Sequence, residues 1–287
     1  MTEQEKLIGS HPQAPHIFGE WLLHTDNLTT TSKKHRKLDE NIGLRNQAIN
    51  RIAEWIIEYH ISEKRIKKMN HLERKATLLQ KHDFDEYVKS AKLLPTADKT
   101  KKGNFAEIIL IEYLQESTGL SSIIHKLRYN PNVEQSMKGD DVLLFNPNIV
   151  SEKIIYGESK YRSTPTKDAI KEIVSNLEGN KRLPISIGFV VEMLYDRGDD
   201  SLADELMDLQ HQLLDDKIDV RNVGFLLSTK STTPFLDTST QVEKHLDTKN
   251  PNLVFISLGL DNPIEIVNES FRLAKEHLLK IIPNETT

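Results

Sequence analysis

The stretch Met137-Lys-Gly-Asp-Asp-Val-Leu-Leu-Phe145, followed by Lys153-Ile-Ile-Tyr-Gly-Glu-Ser-Lys-Tyr-Arg162, decides how this chain is read. Each part carries an apolar run of strand length, set off by Asn, Pro or Gly, which predicts two β-strands, Asp141–Phe145 and Lys153–Tyr161. Successive side chains on a strand point to opposite faces, so Glu158 and Lys160 share one face. If the strands pair as a hairpin, Asp141 at the start of one meets Glu158 near the end of the other. Two carboxylates and an ammonium then gather at one sheet edge. Two acids alone repel until one takes a proton, whereas a Mg2+ ion between them removes the repulsion by accepting hard oxygen ligands. Lys160, as a compact point charge, orients an attacking water or steadies a phosphate. The combination suits metal-assisted phosphodiester hydrolysis. The plainer reading is a surface hairpin with a cross-strand ion pair. The Glu-x-Lys spacing is not specific by itself, since Glu73-Arg-Lys75 repeats it in a helical stretch where residues two apart do not face each other.

Upstream of these strands, Asn104–Gln115 reads as a helix with Phe105, Ile108, Ile109 and Leu110 for its buried face, and Ser122–Tyr129 as the first of three strands. Downstream, Thr166–Leu177 reads as a helix and Ile185–Leu194 as a buried strand. The helix Leu202–Leu214, the strands Val223–Ser228 and Leu253–Leu258, and the closing helix Ile264–Ile281 follow. This order predicts an α/β or α+β sheet covered by helices. The break at Leu94-Pro-Thr-Ala-Asp-Lys-Thr-Lys-Lys-Gly103 marks the boundary between a region 1–95 and a region 96–287. Residues 1 to about 32 look irregular. From about Lys37, the spacing of Leu38, Ile42, Ile49, Ile52, Trp55, Ile56 and Tyr59 predicts a helix, and a second starts after Ser62 with Ile66, Met69, Leu72, Leu78 and Leu79. Core packing is the plain role for these stripes, including Trp55-Ile-Ile57, and partner docking the sharper one.

The order α-β-β-β-α-β, with Asp141, Glu158 and Lys160 on its second and third strands, resembles the PD-(D/E)xK nuclease superfamily. Gly103-Asn-Phe-Ala-Glu107 fits the place where that superfamily often adds a helix Glu to the metal site. More narrowly, GNFAEIILIEYL, KGDDVLLF and YGESKYR together look like the HamA family, nuclease subunits of Hachiman anti-phage defence. The resemblance covers about 103–194 well and the C-terminal third loosely, and no motif of the first hundred residues contributes. It implies an α+β nuclease core with a mixed sheet flanked by helices, preceded by a helical N-terminal region. It also implies a Mg2+-dependent deoxyribonuclease (Mn2+ as substitute) that works with a HamB-like helicase. Asp141, Glu158 and Glu107 would hold the metal, the Ser159 carbonyl adding a ligand, and Lys160 would act on water or phosphate. The proline of the superfamily's name is missing, since Gly139 and Asp140 precede Asp141. Either aspartate fits the ligand position, and Asp141 is preferred because it directly precedes Val-Leu-Leu-Phe. Two alternatives stand beside this reading: a sequence-specific restriction endonuclease, and an inactive nuclease fold that serves assembly or DNA binding.

Lys167 and Lys171 lie one turn apart after the site and reach DNA phosphates if that helix face meets the duplex; a solvated face is the plain alternative. The basic runs Lys33-Lys-His-Arg-Lys37 and Lys99 to Lys102 carry the same two readings. Over 287 residues, 38 Lys and Arg oppose 43 Asp and Glu, a net charge of −5 that rules out a histone-like wrap of nucleic acid. No cysteine is present, so disulfides, thiolate metal sites and Cys nucleophiles are excluded. There is no G-x-x-x-x-G-K-[ST], so ATP hydrolysis is expected from another subunit. The 11 His show no HExxH spacing. With neither a signal peptide nor an apolar run of ~18 residues read, a cytoplasmic protein without a membrane span is expected.

Overall fold

The computed structural model describes residues 1–27, 29–69, 80, 83–135, 139–146, 148–178, 186–214 and 218–281. The N-terminal elements are α1 (Glu3–Ile8), α2 (Ile17–Trp21), β1 (Leu22–Asp26), β2 (His35–Glu40), α3 (Arg45–His60), α4 (Glu63–Met69) and α5 (Phe84–Ser90). Then come α6 (Asp98–Thr118), β3 (Val142–Phe145), β4 (Lys153–Tyr161), α7 (Lys167–Glu178), α8 (Ser186–Tyr195) and α9 (Asp200–Leu214). The chain continues with β5 (Asp219–Thr229), α10 (Thr238–His245), β6 (Leu253–Leu260) and α11 (Pro263–Ile281). Among the described residues no helix is long and apolar enough to cross a membrane.

The six strands form one mixed sheet in the order β1-β2-β6-β5-β4-β3. The inner four are mutually parallel, and the edge strands β1 and β3 pair antiparallel. Parallel strands are covered on both faces and read as unbroken apolar runs, which explains Leu253-Val-Phe-Ile-Ser-Leu-Gly-Leu260, buried at every position. Two glycines identify what covers each face. A Cβ on Gly157 of β4 would come within 3.4 Å of Leu110 on α6, whereas one on Gly224, the β5 partner of Glu158, would sit 2.8 Å from Ile173 on α7. Helices α3, α6 and α11 therefore pack the main core on one face, with Phe105, Ile109, Phe225 and Phe271 inside it. Helices α7 and α10 cover the other face around Tyr156, Ile173, Leu226 and Phe255. A third cluster joins α8 and α9 to Phe145 and Ile154 at the β3 edge.

The expected α+β class, a mixed sheet flanked by helices, is what the chain adopts, but four local expectations are corrected. The N-terminal region is not wholly helical, because β1 and β2 extend the sheet and the helix predicted from Lys37 begins at Arg45. Pairing of β2 with β6 overrides local propensity here, and Lys34, His35 and Arg36 of the basic run are buried rather than solvated. Trp55, Ile56 and Ile57 lie in the core, as the plain reading of that stripe expects. Residues 122–129 do not form a strand: Ser121 makes a single bridge to Phe145, and the chain then closes into a 3-10 turn, Lys126–Tyr129. The run predicted as strand Ile185–Leu194 is helix α8, its buried residues Ile187, Val190, Val191 and Leu194 recurring at helical spacing despite their β-branched content. Leu72, Leu78, Leu79, Met137, Lys138 and Ile185 lie outside the described residues.

Candidate active site

Glu107 sits in the middle of α6, a helix begun at Asp98 rather than at the predicted Asn104 and closed by Gly119 in the left-handed conformation. Its side chain is buried, and Oε1 has no hydrogen-bond partner among the described residues. Burial pushes its pKa up to about 8, with Asp141 and Glu158 adding to the rise and Lys126 opposing it. Lys126 arrives on the 3-10 turn. Its Nζ donates to the Asp140 carbonyl at 2.8 Å and lies 3.3 Å from Glu107 Oε2 and 3.5 Å from Asp141 Oδ1. Burial works against its charge, but Glu107 and Asp141 more than offset this and hold its pKa above the usual lysine value.

The predicted β3–β4 hairpin forms, with Val142 opposite Gly157. Asp141 precedes β3 and is fixed from β4, where the Ser159 N–H donates to Oδ2 at 2.8 Å and the Ser159 hydroxyl at 3.1 Å. Asp140 turns instead toward the start of α8, where its Oδ2 accepts the Ser186 N–H at 3.1 Å and its own N–H donates to Ser186 Oγ at 2.8 Å. Gly139, at φ +128°, makes the turn before this pair, and a Cβ there would lie 2.8 Å from Ser186 Oγ. Of the two aspartates, then, Asp141 is the one that faces Glu107 across Lys126. A small cavity of about 30 Å³ is lined by Glu107, Lys126, Asp140, Asp141 and Ser186, among others; it has room for a water or a bare ion.

Glu158 and Lys160 share a face of β4 as predicted, and it is the face covered by α7. Lys160 Nζ donates to Glu158 Oε1 at 2.9 Å and lies 3.0 Å from Glu172 Oε1. Asn176, one helical turn beyond Glu172, donates to Glu158 Oε1 at 3.1 Å. Burial opposes the charge on Lys160, but Glu158 and Glu172 together keep its pKa raised; it is an ammonium donor, not a base. Arg162, two residues on and on the same face, reaches Glu172 at 3.6 Å. Lys167 and Lys171 stand exposed on α7.

The structure thus joins Glu107 to Asp141 through Lys126, and Glu158 directly to Lys160, with Glu172 and Asn176 of α7 against that pair. Among the described residues no three His, Cys, Asp or Glu side chains converge as a ready metal site. By donor chemistry Glu107 and Asp141 nevertheless fit a divalent cation, being hard oxygens with one buried atom unpartnered. Sequence reasoning missed Lys126, Glu172 and Asn176. The four-residue spacing of Glu172 and Asn176 was visible, and so was the alternation of Lys160 and Arg162 that meets it, whereas Lys126 was hidden inside a run read as a strand.

A model of the HamA family matches residues 15–274. The chain is 41% identical over 280 residues to the Hachiman protein HamA of Bacillus cereus, covering 98% of each.

Proposed function

This chain belongs to the HamA family, and we propose that it is a divalent-metal-dependent DNA nuclease acting in anti-phage defence under the control of a helicase partner. Its likeness to a Hachiman protein supports the defence role. The observation that carries the chemistry is the buried, half-unpartnered carboxyl of Glu107 facing Asp141, one strand away from the Glu158–Lys160 pair. Burying a polar atom without a partner costs stability, and at Glu107 that atom belongs to a carboxyl that lines a small cavity together with Asp141.

In this reading Glu107 and Asp141 hold the cation and Glu158 supports the site from β4. When bound, the cation polarises the phosphate and acidifies water. Lys160, kept charged by Glu158 and Glu172, donates to the phosphoryl oxygen on which negative charge develops. Glu172 and Asn176 are positioning residues, since they hold Lys160 and Glu158 rather than touch DNA. Lys167 and Lys171 take the DNA backbone without reading its sequence. With no P-loop in the chain, any ATP-driven step belongs to the helicase partner, HamB-like by the resemblance.

The test is cleavage of supercoiled and linear plasmid with Mg2+ or Mn2+, comparing the wild type with Glu158→Ala and Lys160→Ala, each with and without the helicase and ATP. Cleavage that disappears in both variants is expected. If no condition yields cleavage, or if both variants cut like the wild type, the cluster is structural and the chain is a non-catalytic subunit.

A further inference from the structure

Lys126 has no place in the reaction outlined above, yet its ammonium lies between the two carboxyl groups to which that reading gives the cation. Its ammonium contacts three oxygens from two parts of the chain: Glu107 on α6, and Asp141 and the Asp140 carbonyl just before β3. An ammonium has three protons to donate and no lone pair: one goes to the Asp140 carbonyl at 2.8 Å, and the two carboxylates lie at ion-pair distances of 3.3 and 3.5 Å. The side chain is 13% exposed, against 8% for Glu107 and 24% for Asp141. We propose that Lys126 is a tethered stand-in for the metal: it occupies the cation position between Glu107 and Asp141, and it must withdraw before a divalent ion can bind there.

Two cations cannot share that position. At such separations like charges repel strongly wherever water is scarce, and the carboxylate oxygens that face Lys126 are those a metal would need. The remaining atom, Glu107 Oε1, satisfies neither Lys126 nor any other described group. The ammonium leaves that oxygen idle, whereas a divalent ion with a larger coordination number has a use for it. Only the lysine side chain has to move for the ammonium to leave. Lys126 is carried on a 3-10 turn that leaves the sheet after the single Ser121–Phe145 bridge, not on a strand bonded along its length. Leu127 in the core and the bond from Arg128 to the Glu58 carbonyl hold the turn itself in place, so a swing of the Lys126 side chain releases the ammonium with the β3–β4 ladder intact. The wild-type protein is therefore a weak metal binder, and Lys126 sets how weak.

This inference rests on the metal-nuclease reading, and titration calorimetry with Mn2+ on the purified full-length chain, without DNA, separates the two. Lys126→Met should bind Mn2+ at least ~10-fold more tightly than the wild type, the order expected from removing an adjacent like charge. It should also show a larger Mn2+-induced rise in thermal midpoint, and Glu107→Gln introduced into the variant should abolish both effects. If Lys126→Met does not fold, Lys126→Gln, which keeps a donor for the Asp140 carbonyl without the charge, carries the same expectation. Variants that bind Mn2+ no more tightly than a metal-binding wild type overturn the role of Lys126 and leave the nuclease reading standing. If neither the wild type nor the variants bind Mn2+, both fall.

Discussion

Two buried cations sit on opposite sides of this sheet's centre, and the protein treats them differently. Arg36 on β2 is fully enclosed and fully satisfied. Its Nε and Nη2 grip Asp26 of β1 at 2.7 and 3.0 Å, and Nη1 donates to the Gly9 carbonyl at 3.0 Å and to the Tyr113 hydroxyl at 3.4 Å. Asp26 also takes a hydrogen bond from Thr2. Burial would raise the pKa of Asp26, but Arg36 and Thr2 hold it below the usual carboxylate range. Lys126 is nearly as buried, yet its partner Glu107 goes the other way, pushed up to about 8 with one oxygen idle. A buried charge that only has to hold strands together is saturated with partners. The pair of Lys126 and Glu107 instead leaves Glu107 Oε1 without a partner among the described residues, a difference that a binding role for this carboxyl explains.

The most severe way to test the contrast is to remove each anchor. Arg36→Met strands Asp26 as an unpaired buried carboxylate, and removing one partner of such a pair costs ~3–5 kcal/mol. Urea denaturation should show that loss, and the plasmid cleavage proposed for this chain should fall only in proportion to the unfolded fraction. A loss under ~1 kcal/mol would mean that the β1–β2 edge does not depend on the pair.

Acid is the next probe. His11 bonds the Tyr113 hydroxyl at 3.0 Å and the Leu22 carbonyl at 2.9 Å beside Arg36. Burial, together with His24 and Arg36, lowers its pKa from 6.5 to about 4. The folded state thus favours neutral His11, so this stabilisation is complete above pH 6.5 and is lost as pH falls from 6.5 toward 4. The slope from one such group approaches ~1.4 kcal/mol per pH unit. His60 and His125 are lowered to about 4 as well, chiefly by burial, so they share in the effect. His11→Gln should make the loss shallower without removing it. An unchanged slope would place acid sensitivity elsewhere than at the Arg36 cluster.

The same contrast explains what could be read from the sequence. The apolar runs of β4, β5 and β6 were legible because both their faces are covered, and the pairing of Glu158 with Lys160 followed from strand periodicity. The strand β2 was not, since His-Arg-Lys-Leu-Asp-Glu is stable as a buried strand only with Asp26, Tyr113 and Gly9 placed around Arg36 by distant parts of the chain. Lys126 was hidden for a related reason. Nothing within residues 122–129 announces that a single bridge to Phe145 will end the strand and turn a lysine inward. Helix α8 was misread because Ile-Gly-Phe-Val-Val satisfies strand composition, while its buried positions follow the helical period.

The smallest expected change in stability is also the most discriminating. Burial works against the charge of Glu107, and Lys126 offsets this only in part. Glu107→Gln supplies a neutral isostere, and Lys126 keeps Asp141 and the Asp140 carbonyl as partners. Urea unfolding of the metal-free variant should therefore shift by no more than ~1 kcal/mol in either direction, while plasmid cleavage is lost. A scaffold role predicts the reverse, because removing a structural charge would cost stability and leave cleavage intact. If Glu107→Gln destabilised the fold as severely as Arg36→Met, the two buried cations would be equivalent. The idle oxygen of Glu107 would then be a packing defect and not a binding atom.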